Sequence, residues 1–130
     1  MKSATFPVEM EPGLQEVSEN VLSRHLNSFA DNDLETLMSD YTDESVLITP
    51  DATYAGIKAI REFFVELIKH FPKGATSLDL DKLVIIDELI FITWHAKTPV
   101  VEVPFATDTF VVKKGKIFRQ TFAGELKFLN

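Results

Sequence analysis

Apolar positions recur at two different periods along this chain, and the change of period divides it in two. Between residues 14 and 30, Leu14, Val17, Val21, Leu22, Leu26 and Phe29 fall three and four apart, which predicts an amphipathic helix. Asp31, Asn32 and Asp33 interrupt the pattern, and Asp33 is placed to cap a short second helix over 34–39. A turn at 41–43 leads to a short strand, 45–49, that Pro50 ends, and 51–56 reads as a loop. Helical spacing returns over 57–71, with Ile57, Ile60, Phe63 or Phe64, Leu67, Ile68 and Phe71, until Pro72 and Gly74 stop it. Beyond Thr76 the period is two. Strands are expected over 77–86 and 89–97 with Asp87 and Glu88 between them, and then a closing hairpin. Its strands are 105–112 and 117–123, and Lys113-Lys114-Gly115-Lys116 forms a solvated turn. Helices followed by hairpin-linked strands imply an α+β domain with an antiparallel sheet and helices on one face.

Length and charge narrow the function. One domain of 130 residues is expected, covering 14–130, behind an arm at 1–13 that holds Pro7, Pro12 and Gly13 and no periodicity. The net charge of −7 argues against nucleic acid and anionic membranes as partners, since both need phosphate-neutralising Lys and Arg. Without cysteine there is no disulfide and no thiol chemistry. No signal-like start and no apolar run of about 20 residues appears, so a cytoplasmic location is expected.

Candidate chemistry centres on Asp108. Alternation puts Ala106, Asp108, Phe110 and Val112 on one strand face. A carboxylate on that face is either a solvated edge group or a functional acid whose pKa rises on desolvation. Gln120, on the last strand with Phe122, could hydrogen-bond to it. His25 leans toward the buried face of the first helix, as a packed histidine or a cavity donor. Trp94 and His95 must point to opposite faces. If Thr98 pairs with Val103, Thr93 lies opposite Asp108 and His95 faces inward; a one-residue slip puts Trp94 there instead. The first register is the expectation. Tyr54 could sit at a cavity mouth. Aromatics such as Phe29, Phe63, Phe64, Phe91 and Phe110 are more often core than ligand contacts. The acidic run Asp40, Asp43, Glu44 reads as a solvated loop. His25, His70 and His95 have no metal-ligand spacing, so neither metal nor cofactor is expected.

Three stretches carry a family resemblance over roughly Val17 to Phe128. They are NDLETLMSDYTDESVLITP (32–50), the Gly56–Phe64 run containing AIREFF, and DTFVVKKGKI (108–117). Together they resemble the nuclear transport factor two-like superfamily, in its SnoaL-like and ketosteroid isomerase-like group. The resemblance implies three helices on a strongly curved, mostly antiparallel sheet, a cone enclosing a pocket. It also implies a homodimer through the outer sheet face. Ketosteroid isomerases use a carboxylate base and two oxyanion donors, a Tyr and a neutral Asp. At the corresponding positions this chain has Thr49, His25 and Asp108. The base position has lost its carboxylate, and standard isomerase chemistry is not expected. The resemblance therefore implies a small hydrophobic carbonyl ligand, handled by Asp108 with His25 or His95 in isomerase- or cyclase-type acid–base chemistry. Thr49, Tyr54, Phe29, Phe64, Thr93, Trp94, Phe110, Gln120 and Phe122 would line the pocket. The alternative is a binding or interaction module that keeps the cavity without the chemistry.

Overall fold

The computed structural model describes residues 13–129. The expected arm therefore lies outside the described residues, except for Gly13 at the start of the first helix. Helix α1 spans Leu14–Ala30 and α2 spans Leu34–Met38, where the Asp33 carboxylate accepts the Thr36 backbone N–H at 3.2 Å as the capping residue. Strands β1 (Val46–Ile48) and β2 (Thr53–Ala55) precede α3 (Ile57–Ile68). Four long strands follow: β3 (Ser77–Ile86), β4 (Leu89–Lys97), β5 (Val101–Lys113) and β6 (Lys116–Phe128). The expected loop at 51–56 thus holds a short strand, which pairs with β1 across the Pro50 turn. Its three residues are too few for alternation to show.

The sheet order is β2-β1-β6-β5-β4-β3, antiparallel except where β1 runs parallel to β6. It is curved and does not close on itself. Each extra residue in one strand of a pair bends the sheet and sharpens its twist. Such bulges lie at Asp81 in β3, at Pro104 in β5 and at Phe118 in β6. Pro104 cannot donate to the ladder, and a bulge is where a strand tolerates it.

The three helices cover the concave face. Val21 and Leu22 of α1, Leu37 and Met38 of α2, and Ile60 and Phe64 of α3 meet Leu47, Ile90, Ile92, Phe110, Val112 and Ile117 of the sheet. Two polar stitches fix the helices in place. The Ser18 hydroxyl donates to the Asp87 carbonyl at 2.6 Å, tying α1 to the β3–β4 turn. Asn32 takes a left-handed conformation that ends α1, and its side chain reaches the end of α3. Its amide donates to the Phe71 carbonyl at 2.9 Å and its oxygen accepts the Lys73 N–H at 2.8 Å.

One acidic residue is not where the sequence suggested. Asp40 is fully buried, not solvated. Arg24 of α1 grips its Oδ1 through Nε at 2.8 Å and a terminal nitrogen at 2.5 Å. The hydrogen-bonded carboxylate in turn holds the guanidinium pKa above its ordinary value. The Asp40 carbonyl accepts the Ile117 N–H at 2.7 Å. This residue joins the α2–β1 connection to both α1 and β6.

Candidate functional site

The curved sheet and the helices leave an internal cavity of about 40 Å³. Half-buried Leu26, Phe29, Phe63, Leu67, Leu78 and Phe122 form its mouth. The polar groups are at the floor: His25 from α1, Trp94 from β4, Asp108 from β5 and Gln120 from β6. Among the described residues, no Lys or Arg lines it.

Asp108 is 6% exposed and both of its oxygens accept hydrogen bonds. The Trp94 indole N–H donates to Oδ1 at 2.8 Å, and the Gln120 amide donates to Oδ2 at 2.9 Å. Gln120 is itself oriented by Tyr41, whose hydroxyl donates to Oε1 at 2.5 Å. Burial raises the Tyr41 pKa well above its usual value, and the charges of Asp108 and Asp40 add to this, so the phenol keeps the proton it donates. Because a carboxylate only accepts, this chain fixes which end of the amide faces Asp108. Burial pushes the Asp108 pKa up to about 6, against the pull of the Trp94 and Gln120 hydrogen bonds. At neutral pH Asp108 is thus mostly ionised and still close to its pKa. Each of its oxygens has accepted one bond and keeps a free lone pair. Ionised, such a carboxylate can take a proton; protonated, it can donate to an oxygen.

His25 has the opposite shift. Burial lowers its pKa to about 4, so the ring is neutral at pH 7. It packs edge-on against Phe110, Phe64 and Tyr41, with ring centroids 5.1, 6.1 and 6.4 Å away. Its Nδ1 is buried with no hydrogen-bond partner among the described residues. A buried polar atom without a partner costs free energy unless something supplies one.

The other expected site residues divide between inside and outside. Trp94, Phe29, Phe64, Gln120 and Phe122 line the cavity. His95 does not: it lies on the outer sheet face, half exposed, between Asp81 at 2.8 Å and Asp79 at 3.4 Å. The hydrogen bond to Asp81 raises its pKa, and the charges of Asp81 and Asp79 add to that. The expected register fails for a physical reason. Thr98 closes its own turn, donating its N–H to the Val101 carbonyl, so Lys97 pairs with Glu102 and Ala96 with Val103. The bulge at Pro104 then inserts a residue, which places Ile92 opposite Asp108 and Trp94 opposite Ala106. Thr93 consequently pairs with Thr107 on the outer face. Thr49 is outside the cavity, where its hydroxyl accepts the Asp51 and Ala52 N–H groups at 3.2 and 3.1 Å. Tyr54 packs on Phe63, in a groove between α3 and β6 that adjoins the cavity. Phe110 backs His25 without reaching the cavity surface. Tyr41 had no signal in the sequence: it lies in an aperiodic turn, 79 residues from the Gln120 it orients.

A family model described as a SnoaL-like domain matches residues 22–120. The chain belongs to the SnoaL-like family. Solved structures agree on the fold at low identity. An NTF2-like protein of unknown function from Mesorhizobium loti is 17% identical, with 88% of this chain and 96% of that one covered at a TM-score of 0.72. A ketosteroid isomerase-like protein from Erwinia carotovora is 15% identical, covering 85% and 95%, at 0.63. An LEH-like epoxide hydrolase from M. tuberculosis is 11% identical, covering 85% and 84%, at 0.67. No curated protein matches the sequence. Among the described residues of this SnoaL-like chain, no cluster of His, Asp or Glu could hold a metal, and no helix is long and apolar enough to cross a membrane.

Proposed function

We propose that this SnoaL-like protein binds a small hydrophobic molecule through a terminal oxygen and moves a proton on it, with Asp108 as the base and neutral His25 beside the oxygen. The observation that carries this reading is the make-up of the cavity floor: a buried carboxylate close to its pKa and a neutral imidazole line the same small cavity. In an isomerase- or cyclase-type step, Asp108 would take a proton from the carbon next to a ketone. The enolate oxygen would then accept from His25, in the tautomer that carries its proton toward the cavity. No cofactor is needed for that step.

The test uses 2-tetralone, an apolar ketone with acidic C–H bonds, in deuterated buffer. The protein is expected to accelerate deuterium uptake at the carbon between ring and carbonyl, and Asp108→Asn to lose the acceleration. If 2-tetralone binds but exchanges at the buffer rate, the protein binds without chemistry. That second reading is favoured by Thr49, which stands outside the cavity where the related isomerases keep their base.

We also propose a homodimer through the outer sheet face. Ile86, Leu89 and Ile48 are exposed there beside half-buried Val84, Phe91 and Val111, an apolar surface that a lone chain leaves to water. Sedimentation at about 50 µM (roughly the range where a micromolar dimer forms) is expected to give twice the chain mass, and Leu89→Lys to give monomers. A wild-type monomer at that concentration would contradict the dimer.

A further inference from the structure

The cavity is far too small for the whole of a ligand with a body. Pockets that enclose drug-sized molecules run to about 300–1,000 Å³, and this one has about 40 Å³. It is not isolated, however. Leu26, Phe29 and Leu78 of its mouth are also one wall of a second depression, about 530 Å³ in volume. This groove runs between the end of α1, the turn after α3 and strand β3. Phe71 is at its floor and Leu80, 37% exposed, lies along β3. Asn32 braces the wall by joining the α1 end to Phe71 and Lys73. The charged groups on it, Asp31 and Lys73, lie at its outer rim 4.0 Å apart and offset each other. The path from the polar floor to that rim is apolar.

We infer that the cavity and this groove are one continuous site, and that its ligand is an uncharged, elongated molecule with a single hydroxyl, enol or ketone at one end. The polar head reaches Asp108 and His25, and an alkyl or aryl-alkyl body lies along Leu26, Phe29, Leu78 and Leu80. A hydroxyl suits the floor because it can donate to the Asp108 carboxylate while also bonding His25. A carboxylate head does not, because it would face the Asp108 carboxylate with no cation among the described residues that line the cavity. This inference rests on the cavity reading above and adds the shape and charge of the ligand to it. A second groove, sharing Phe63 and Leu67 with the mouth, is rimmed by Glu62 and Glu66 and shares fewer side chains with the cavity.

Trp94 is the single tryptophan and lines the cavity, so its fluorescence reports arrival of the head group. The probes are 4-alkylphenols from methyl to octyl, kept below their micelle concentrations, and 4-hexylbenzoate. Affinity is expected to rise about fourfold per added methylene until the groove is filled, with the benzoate at least about tenfold weaker than 4-hexylphenol. Leu80→Asp and, independently, Ala30→Phe at the exposed end of α1 are expected to flatten the series and leave 4-methylphenol binding unchanged. A flat series in the wild-type protein, with 4-methylphenol still bound, overturns the groove while the cavity reading stands. A chain-length gain that survives both variants but is lost in Phe128→Asp places the body in the other groove and overturns the inference as well. If no phenol perturbs Trp94, methyl included, the cavity reading fails and takes this inference with it.

Discussion

Asp108→Asn is expected to abolish proton transfer and yet to make the protein more stable at pH 8. Losing a positioned base typically costs about 10²–10⁴ in rate. The stability gain follows from burial. In the folded chain Asp108 keeps its proton up to about pH 6, against 3.8 for the free group. Its contribution to stability is therefore fully present below pH 4 and is lost as the pH rises through 6. Above that, holding the ionised form in the fold costs about 3 kcal/mol, at roughly 1.4 kcal/mol per pKa unit. The introduced amide has no such cost. It fits because the Gln120 amide can turn over, and the Tyr41 hydroxyl can then accept instead of donate.

His25 makes the same variant informative at lower pH. Its folded pKa of about 4 lies below the ordinary 6.5, so its contribution is present above 6.5 and is lost as the pH falls through 4. The two groups thus oppose each other over one window and nearly cancel in the wild type. With Asp108 gone, the His25 dependence stands alone. Urea unfolding should show Asp108→Asn losing about 3 kcal/mol more than wild type between pH 6.5 and 4. Parallel pH profiles for the two proteins would contradict the Asp108 shift, and a variant that keeps its stability down to pH 4 would contradict that of His25.

The second large effect lies away from the cavity. Arg24→Leu is expected to destabilise the fold by about 3–5 kcal/mol, because it leaves the buried Asp40 carboxylate without its cation. Among the described residues Asp40 Oδ2 has no partner even in the intact pair, and Oδ1 takes both hydrogen bonds from Arg24. The double variant Arg24→Leu/Asp40→Leu should recover most of the loss, since the cost comes from the stranded charge. Chemical denaturation of the three proteins settles the point. A loss below about 1 kcal/mol for Arg24→Leu would mean that water reaching the 42%-exposed guanidinium already screens the pair.

Much of this architecture could be read from the sequence. The first helix runs from Leu14 to Ala30 as its period indicated, and β3 and β4 have the expected bounds, because each is long enough for its period to show. The Lys113–Lys116 turn was legible from Gly115, where Lys114 and Gly115 both take positive φ. The shared face of Ala106, Asp108, Phe110 and Val112 is buried as alternation requires. What failed depended on single residues. The bulge at Pro104 decided whether Trp94 or His95 faces the cavity, because the tight turn at Thr98 moves the register by two and keeps the face, and alternation is blind to a one-residue shift. Asp40 looked like loop charge because its partner is 16 residues away on the first helix. Tyr41 looked like a turn residue because its role depends on β6. Each of these three is set by tertiary pairing.

The central claim is that Asp108 is a buried carboxylate poised near neutrality, and its own titration tests that most directly. Carboxyl-carbon NMR on the wild-type protein, with Asp108→Asn identifying the resonance, should give a pKa near 6. A value at or below the ~3.9 of a free aspartate would contradict the account. It would mean a solvated or tightly hydrogen-bonded structural carboxylate at the cavity floor, and no base for the proposed reaction.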